Sequence, residues 1–114
     1  SIELIYGIRN FIGNANKFAN KKIYVTVKSD SEISEIIIED DGPGYPKDVI
    51  NKIGEPYNKS QIREFSTKSG LGLGIFIGKT LLEKNLANLI FRNSETRSGA
   101  EVNIAWNNKD LKRI

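Results

Sequence analysis

The chain contains neither cysteine nor histidine. The first absence excludes disulfides and thiolate metal sites, and the second excludes imidazole ligands, a histidine general base and a phosphohistidine within this chain. Chemistry here must use carboxylates, amides, amines and backbone. No stretch approaches the roughly 18 apolar residues of a membrane helix, so the domain is expected to make no direct membrane contact. No internal repeat is present. A strong excess of one charge is also missing, since 17 Lys+Arg against 14 Asp+Glu leave a net charge of +3. That nearly balanced surface argues against nucleic acid as the partner, although the pI is ≈ 9.2.

What is present is an ordinary globular composition, 39% hydrophobic and 27% charged over 114 residues. That length suits one compact domain and is too short for two, so residues 1–114 are expected to form a single domain. A helical pattern that starts almost at Ser1 reads as an excised piece of a longer protein.

Leu4, Ile8, Phe11, Ile12, Ala15, Phe18 and Ala19 recur at helical spacing and fall in one broad apolar stripe. On the same helix Asn10, Asn14 and Lys17 form a separate polar row, and Phe18 lies on the border between the two. Residues 23–27 and 33–39 are rich in β-branched and aromatic types around the turn signal Ser29-Asp30-Ser31, which predicts an antiparallel hairpin with Asp40 at its end. Pro46 fits the first turn of a short helix through about Ile53, and residues 55–69 lack any apolar period and read as a mobile loop. From Leu71 to about Asn85 apolar residues occupy most of the helical circumference, with Gly74 and Gly78 four apart, which predicts a largely buried and closely approached helix. Strands at 88–93 and 101–106, joined by a turn over 94–99, precede a polar tail that is expected to fray.

Two glycine clusters stand out. Asp40-Asp41-Gly42-Pro43-Gly44 leaves the second strand, and Gly70-Leu71-Gly72-Leu73-Gly74 opens the buried helix. An acid at a strand end can accept from a base amine, while glycines admit φ > 0 and let backbone amides approach phosphate. Alone, either cluster is also explained as a turn or a tight helix entry. Gly74 to Thr80 resembles a P-loop but has three residues between its glycines where four are needed, so Lys79 belongs to a helix surface. A dinucleotide fold fails as well, because no strand immediately precedes Gly70 and the glycine spacing differs.

The stretch Asn10 to Phe18, then Asp40 to Gly44, then Gly70 to Gly74, resembles the asparagine box and the two glycine boxes of the ATP-binding domains of sensor histidine kinases, in order and spacing across nearly the whole chain. Gly54-Glu55-Pro56-Tyr57 and Lys79 to Glu83 are most similar to the redox-responding, photosynthesis-regulator type. The resemblance implies the Bergerat (GHKL) fold, an α+β two-layer sandwich in which a mixed β-sheet is covered on one face by about three helices. ATP and Mg2+ are the cofactors it implies. By resemblance Asp40 accepts from the adenine amine, Gly42 and Gly44 keep the backbone clear of the purine, and Phe18 packs on the ring. Asn14 binds the magnesium ion with Asn10 supporting the same row, and Lys17 lies near a phosphate, making Asn14 and Lys17 the candidate catalytic residues. Residues 57–69 would form a lid, with Tyr57, Lys59, Arg63 and Lys68 near the nucleotide. Amides around Gly70, Leu71, Gly72, Leu73 and Gly74 would meet phosphate at a helix start, and Gly99 belongs to a last glycine box.

Three positions depart from the family pattern. Gly13 stands where an acid often precedes the magnesium asparagine, Asn10 stands where the ATPase branches carry a water-activating glutamate, and Ala100 stands where a threonine hydroxyl commonly helps bind adenine. A strand that usually precedes the asparagine-box helix is absent, which leaves a sheet edge and implies a homodimer or swapped dimer. The function implied is transfer of the γ-phosphoryl group of Mg·ATP to a histidine on a separate dimerisation domain, and then to a response regulator. The domain would be cytoplasmic, in a protein anchored in the bacterial inner membrane. An anti-sigma-factor serine kinase of the same fold, or a degenerate module that binds nucleotide without transfer, are the alternatives.

Overall fold

The computed structural model of the chain describes residues 1–53 and 74–114. Helix α1 (Ile2–Phe18) starts on Ser1, whose hydroxyl accepts from the Leu4 amide at 3.3 Å, and buries Gly7, Phe11 and Ala15. This is the apolar stripe expected from the periodicity. Strands β1 (Ile23–Ser29) and β2 (Ile33–Asp40) pair antiparallel in a register that sets Ile23 opposite Asp40 and Val25 opposite Ile38. Their turn is tied by Asp30, whose carboxylate accepts from the amides of Glu32 and Ile33 at 2.7 and 2.8 Å. Helix α2 (Lys47–Ile53) is entered through Pro46, whose carbonyl accepts from Val49 and Ile50. Helix α3 (Gly74–Lys84), strands β3 (Asn88–Asn93) and β4 (Ala100–Asn107) and the short helix α4 (Asn108–Leu111) complete the described chain.

The sheet order is β1-β2-β4-β3, and every pairing is antiparallel among the described residues, where a mixed sheet was expected. The reason is topological: β2 and β3 run in the same direction, but β4 returns between them, so the two never pair. Period-2 alternation then sends Ile36, Ile38, Val102, Ile104, Trp106, Leu89 and Phe91 to one face, where they meet α1, α2 and α3 in a single core. The two-layer α+β architecture is as expected.

Helices α1 and α3 lie very close. A Cβ at Gly78 would sit 2.9 Å from the Phe11 ring and 3.1 Å from the Gly7 carbonyl, and one at Gly7 would sit 2.7 Å from Leu82. Gly78 therefore has the close-packing role read from its spacing, whereas Gly74 has only ordinary contact space, with Asn10 Oδ1 at 3.6 Å. Lys79 is on the helix surface and bonds Glu83 one turn on, at 2.8 Å.

The expectation of a frayed tail is overturned. Asn107 caps α4, the Asn108 amide donates to the Glu32 carbonyl at 2.7 Å, and Asn108 Nδ2 donates to the Asp30 carbonyl at 2.8 Å, while Leu111 and Ile114 pack against the core. The polar residues misled because their partners lie some 75 positions earlier, in the β1–β2 turn. At the opposite edge of the sheet, Val25 and Val27 face the helix side but remain 52% and 71% exposed, so β1 is an open edge among the described residues.

Candidate functional site

Asp40 ends β2 and is only 3% exposed. One carboxylate oxygen, Oδ1, accepts from the Gly42 amide at 2.8 Å and the Ala100 amide at 3.3 Å. A buried carboxylate needs such donors, and here two turns supply them from opposite sides. Two glycines make this possible. A Cβ at Gly42 would overlap the Phe18 carbonyl, and one at Gly99 would overlap both the side chain and the carbonyl of Asp40. Gly44 adopts φ 82°, the left-handed region that favours glycine, and a Cβ there would lie 2.7 Å from Asn93 Oδ1.

Two residues that sequence reasoning did not single out hold this corner in place. Asp41 accepts from the amides of Asn20, Lys21 and Lys22 at 2.8, 3.0 and 3.2 Å, pinning the exit of α1 to the end of β2. These bonds, that from Lys21 foremost, hold its carboxyl below the ordinary aspartate range. Asn93 brackets the backbone of Tyr45, accepting from its amide at 2.6 Å and donating to its carbonyl at 3.1 Å. A lone asparagine at a strand end carries no sequence signal for such a bracket, and the second aspartate of an Asp-Asp pair reads as turn composition.

The side chains enclose two adjoining chambers. The inner one, about 160 Å³, is walled by Phe18, Pro43, Tyr45, Pro46 and Ala100, with Asp40 at its back. Apolar walls around one acceptor suit a flat aromatic base that carries an amine. The outer cleft, about 410 Å³, is lined by Asn10, Asn14, Lys17 and Gly74, together with Tyr6, Arg9 and Gly13. Asn14 borders both. The outer cleft has what an anionic group needs: a lysine, side-chain amides and the start of an 11-residue helix at Gly74.

Of the residues read from sequence, the structure thus gathers Asn10, Asn14, Lys17, Phe18, Asp40, Gly44 and Gly74 around one cavity system, with Gly42 and Gly99 packed behind Asp40. Tyr57, Lys59, Arg63, Lys68, Gly70, Leu71, Gly72 and Leu73 lie outside the described residues. Asn10 donates to the Tyr6 carbonyl at 2.8 Å, which leaves its amide oxygen near Gly74. Lys17 lies 5.4 Å from the centre of the Phe18 ring. Among the described residues no group of three His, Cys, Asp or Glu could hold a metal. Magnesium held on phosphates keeps several waters and takes few protein ligands, and Asn14 at the junction of the chambers offers one amide oxygen.

A helical layer on an antiparallel sheet, with a base-sized chamber opening onto a polar cleft, defines a nucleotide-binding domain of the ATPase class. Residues 1–109 match the model of the histidine kinase-, DNA gyrase B- and HSP90-like ATPases, and the chain belongs to that family. It is similar to the sensor histidine kinase RegB of Cereibacter sphaeroides, 37% identical over 119 positions, which cover 91% of this chain and 26% of that protein. It is also similar to the sensor protein kinase PilS of Pseudomonas aeruginosa, 40% identical over 73 positions, which cover 63% of this chain and 12% of that one. The chain therefore spans about a quarter of RegB and about an eighth of PilS. Its fold matches the mycobacterial sensor histidine kinase MprB with a TM-score of 0.65 at 21% identity, covering 90% of this chain and 70% of that one. No helix among the described residues is long and apolar enough to cross a membrane.

Proposed function

We propose that this chain is the ATP-binding catalytic domain of a two-component sensor histidine kinase. It binds Mg·ATP and passes the γ-phosphoryl group to a histidine on a separate dimerisation domain, from which a response regulator receives it. The observation that carries this reading is Asn14, which borders both the Asp40 chamber and the cationic cleft, so base and phosphates can be held on either side of one side chain. Asp40 accepts from the purine amine, Phe18 packs on the ring, and Lys17 neutralises phosphate charge. The Asn14 amide oxygen and the phosphates would hold magnesium, which supplies charge neutralisation at the bond that breaks. Phosphoryl transfer depends chiefly on positioning and charge, so a domain without histidine or a catalytic acid is adequate when the acceptor nitrogen is brought to it.

The resemblance to the ATP-binding domains of sensor histidine kinases favours a cytoplasmic domain in a membrane-anchored parent protein. The open edge of β1, with Val25 and Val27 uncovered beside it, supports association with a second copy, and a mass that stays monomeric at high concentration would contradict it.

Gly13 lines the outer cleft where an acid would assist transfer, and this favours one second reading, a module that binds nucleotide without transferring phosphate. Incubation with labelled ATP and a histidine-bearing helical domain decides between them. Acid-labile label on the histidine is the expected result, and measurable ATP binding without any label would favour the second reading.

A further inference from the structure

Tyr45 is the polar wall of the inner chamber that the proposed pose leaves without a task. Only 7% of the residue is exposed, and it lines the chamber together with Asp40 and Ala100. The ring stands edge-on to Phe91, with centroids 6.4 Å apart and planes at 75°, and the backbone is bracketed by Asn93. Tyr45 is therefore fixed before any ligand arrives. Among the described residues its hydroxyl makes no hydrogen bond.

Apart from the Gly44 amide, the other donors at this end are spent or missing. The amides of Gly42 and Ala100 go to Asp40 and the amide of Tyr45 goes to Asn93. Pro43 and Pro46 have no N–H, and Ala100 presents a methyl group. The only described side chains on the chamber wall that can donate are Asn14, on the phosphate side, and Tyr45. Burial, with the Asp40 charge adding to it, pushes the phenol well above the ordinary tyrosine range, so the hydroxyl keeps its proton at neutral pH.

An acceptor beside a donor is a pattern that one purine edge matches. Adenine offers an amine donor at C6 and, next to it, the acceptor N1, whereas guanine reverses both. We propose that Tyr45 is a specificity-determining residue, whose hydroxyl donates to the ring nitrogen N1 of adenine, directly or through one water, while Asp40 accepts from the neighbouring amine. This inference rests on the ATP-binding reading above and adds a second polar contact to it, supplied by the residue that follows the glycine box.

The test compares ATP with 1-deaza-ATP, in which N1 is replaced by C–H, by calorimetry on the native chain and on Tyr45→Phe. Native protein should bind the deaza analogue about 2- to 12-fold more weakly than ATP, the range of an ordinary neutral hydrogen bond. Tyr45→Phe should bind ATP more weakly by a similar factor and no longer distinguish the two nucleotides. Equal affinity of the native protein for both, or an undiminished preference in Tyr45→Phe, would overturn the role of Tyr45 while leaving ATP binding intact. Failure of the native chain to bind ATP at all would overturn the underlying reading as well.

Discussion

The backbone of Gly99 passes so close to Asp40 that a methyl group at position 99 would overlap both the carboxylate and the carbonyl of that residue. The last turn before β4 is thereby pressed against the end of β2, and the Ala100 amide reaches the Asp40 side chain. Gly99→Ala should therefore lower stability by about 1–3 kcal/mol, as overpacking does. It should weaken ATP binding by more than the melting shift alone would explain, because the Ala100 amide that donates to the carboxylate is displaced. Parallel thermal melts and calorimetry check this, and a variant with native affinity would show that the turn does not position Asp40.

Asp40→Asn keeps the volume of the side chain but replaces a charged acceptor. The expected loss of ATP affinity is about 1.5–3 kcal/mol, the range of a hydrogen bond to a charged group. Unchanged affinity by calorimetry would count directly against Asp40 as the purine acceptor.

Asn14→Ala removes an amide from the junction of the two chambers without touching Asp40. Affinity for nucleotide without magnesium should change little, whereas the gain in affinity on adding magnesium, and the rate of phosphoryl transfer, should fall steeply. Titrations with and without a chelator separate the two, and a uniform loss under both conditions would assign Asn14 to the base instead.

Asp41 provides the pH dependence. Its carboxyl is held below the ordinary range by three backbone amides, so its folded-state value lies below the unfolded one. The stability it contributes is present above the unfolded value, near pH 4, and is lost as pH falls through the folded value. Asp30 and Glu3 shift in the same direction and add to the acid limb. Denaturant titrations of Asp41→Asn should show a smaller loss of stability between about pH 5 and pH 2 than the native chain. An acid limb as steep as that of the native chain would remove Asp41 from this account.

Much of this molecule was legible because its local signals agree. The stripe from Leu4 to Ala19 and the β-branched runs around Asp30 each have one dominant period, and their elements form with ends within a few residues of expectation. Candidate site residues on α1 and at the end of β2 were legible only from the order in which the asparagines, the aspartate and the glycines follow one another, since each cluster alone also fits a turn or a helix entry. Contacts between distant segments were not legible. Asn108 looks like tail composition until it meets Asp30 and Glu32, and Asn93 looks like a strand end until it brackets Tyr45. No local pattern singles out Tyr45, and only its burial beside Asp40 makes it part of the chamber wall.

The amino-acid order by itself determined the elements, the apolar face of each, and the types of group available: carboxylate, amide, amine and glycine backbone, with no histidine or thiol. Only the tertiary structure decided that β4 returns between β2 and β3, that Gly99 closes on Asp40, and that Asn14 borders two chambers. The physical reason is range. Helical and strand periodicity act over a few residues, whereas a buried carboxylate is stable only where donors from remote turns converge on it, and that convergence is a property of the packed sheet.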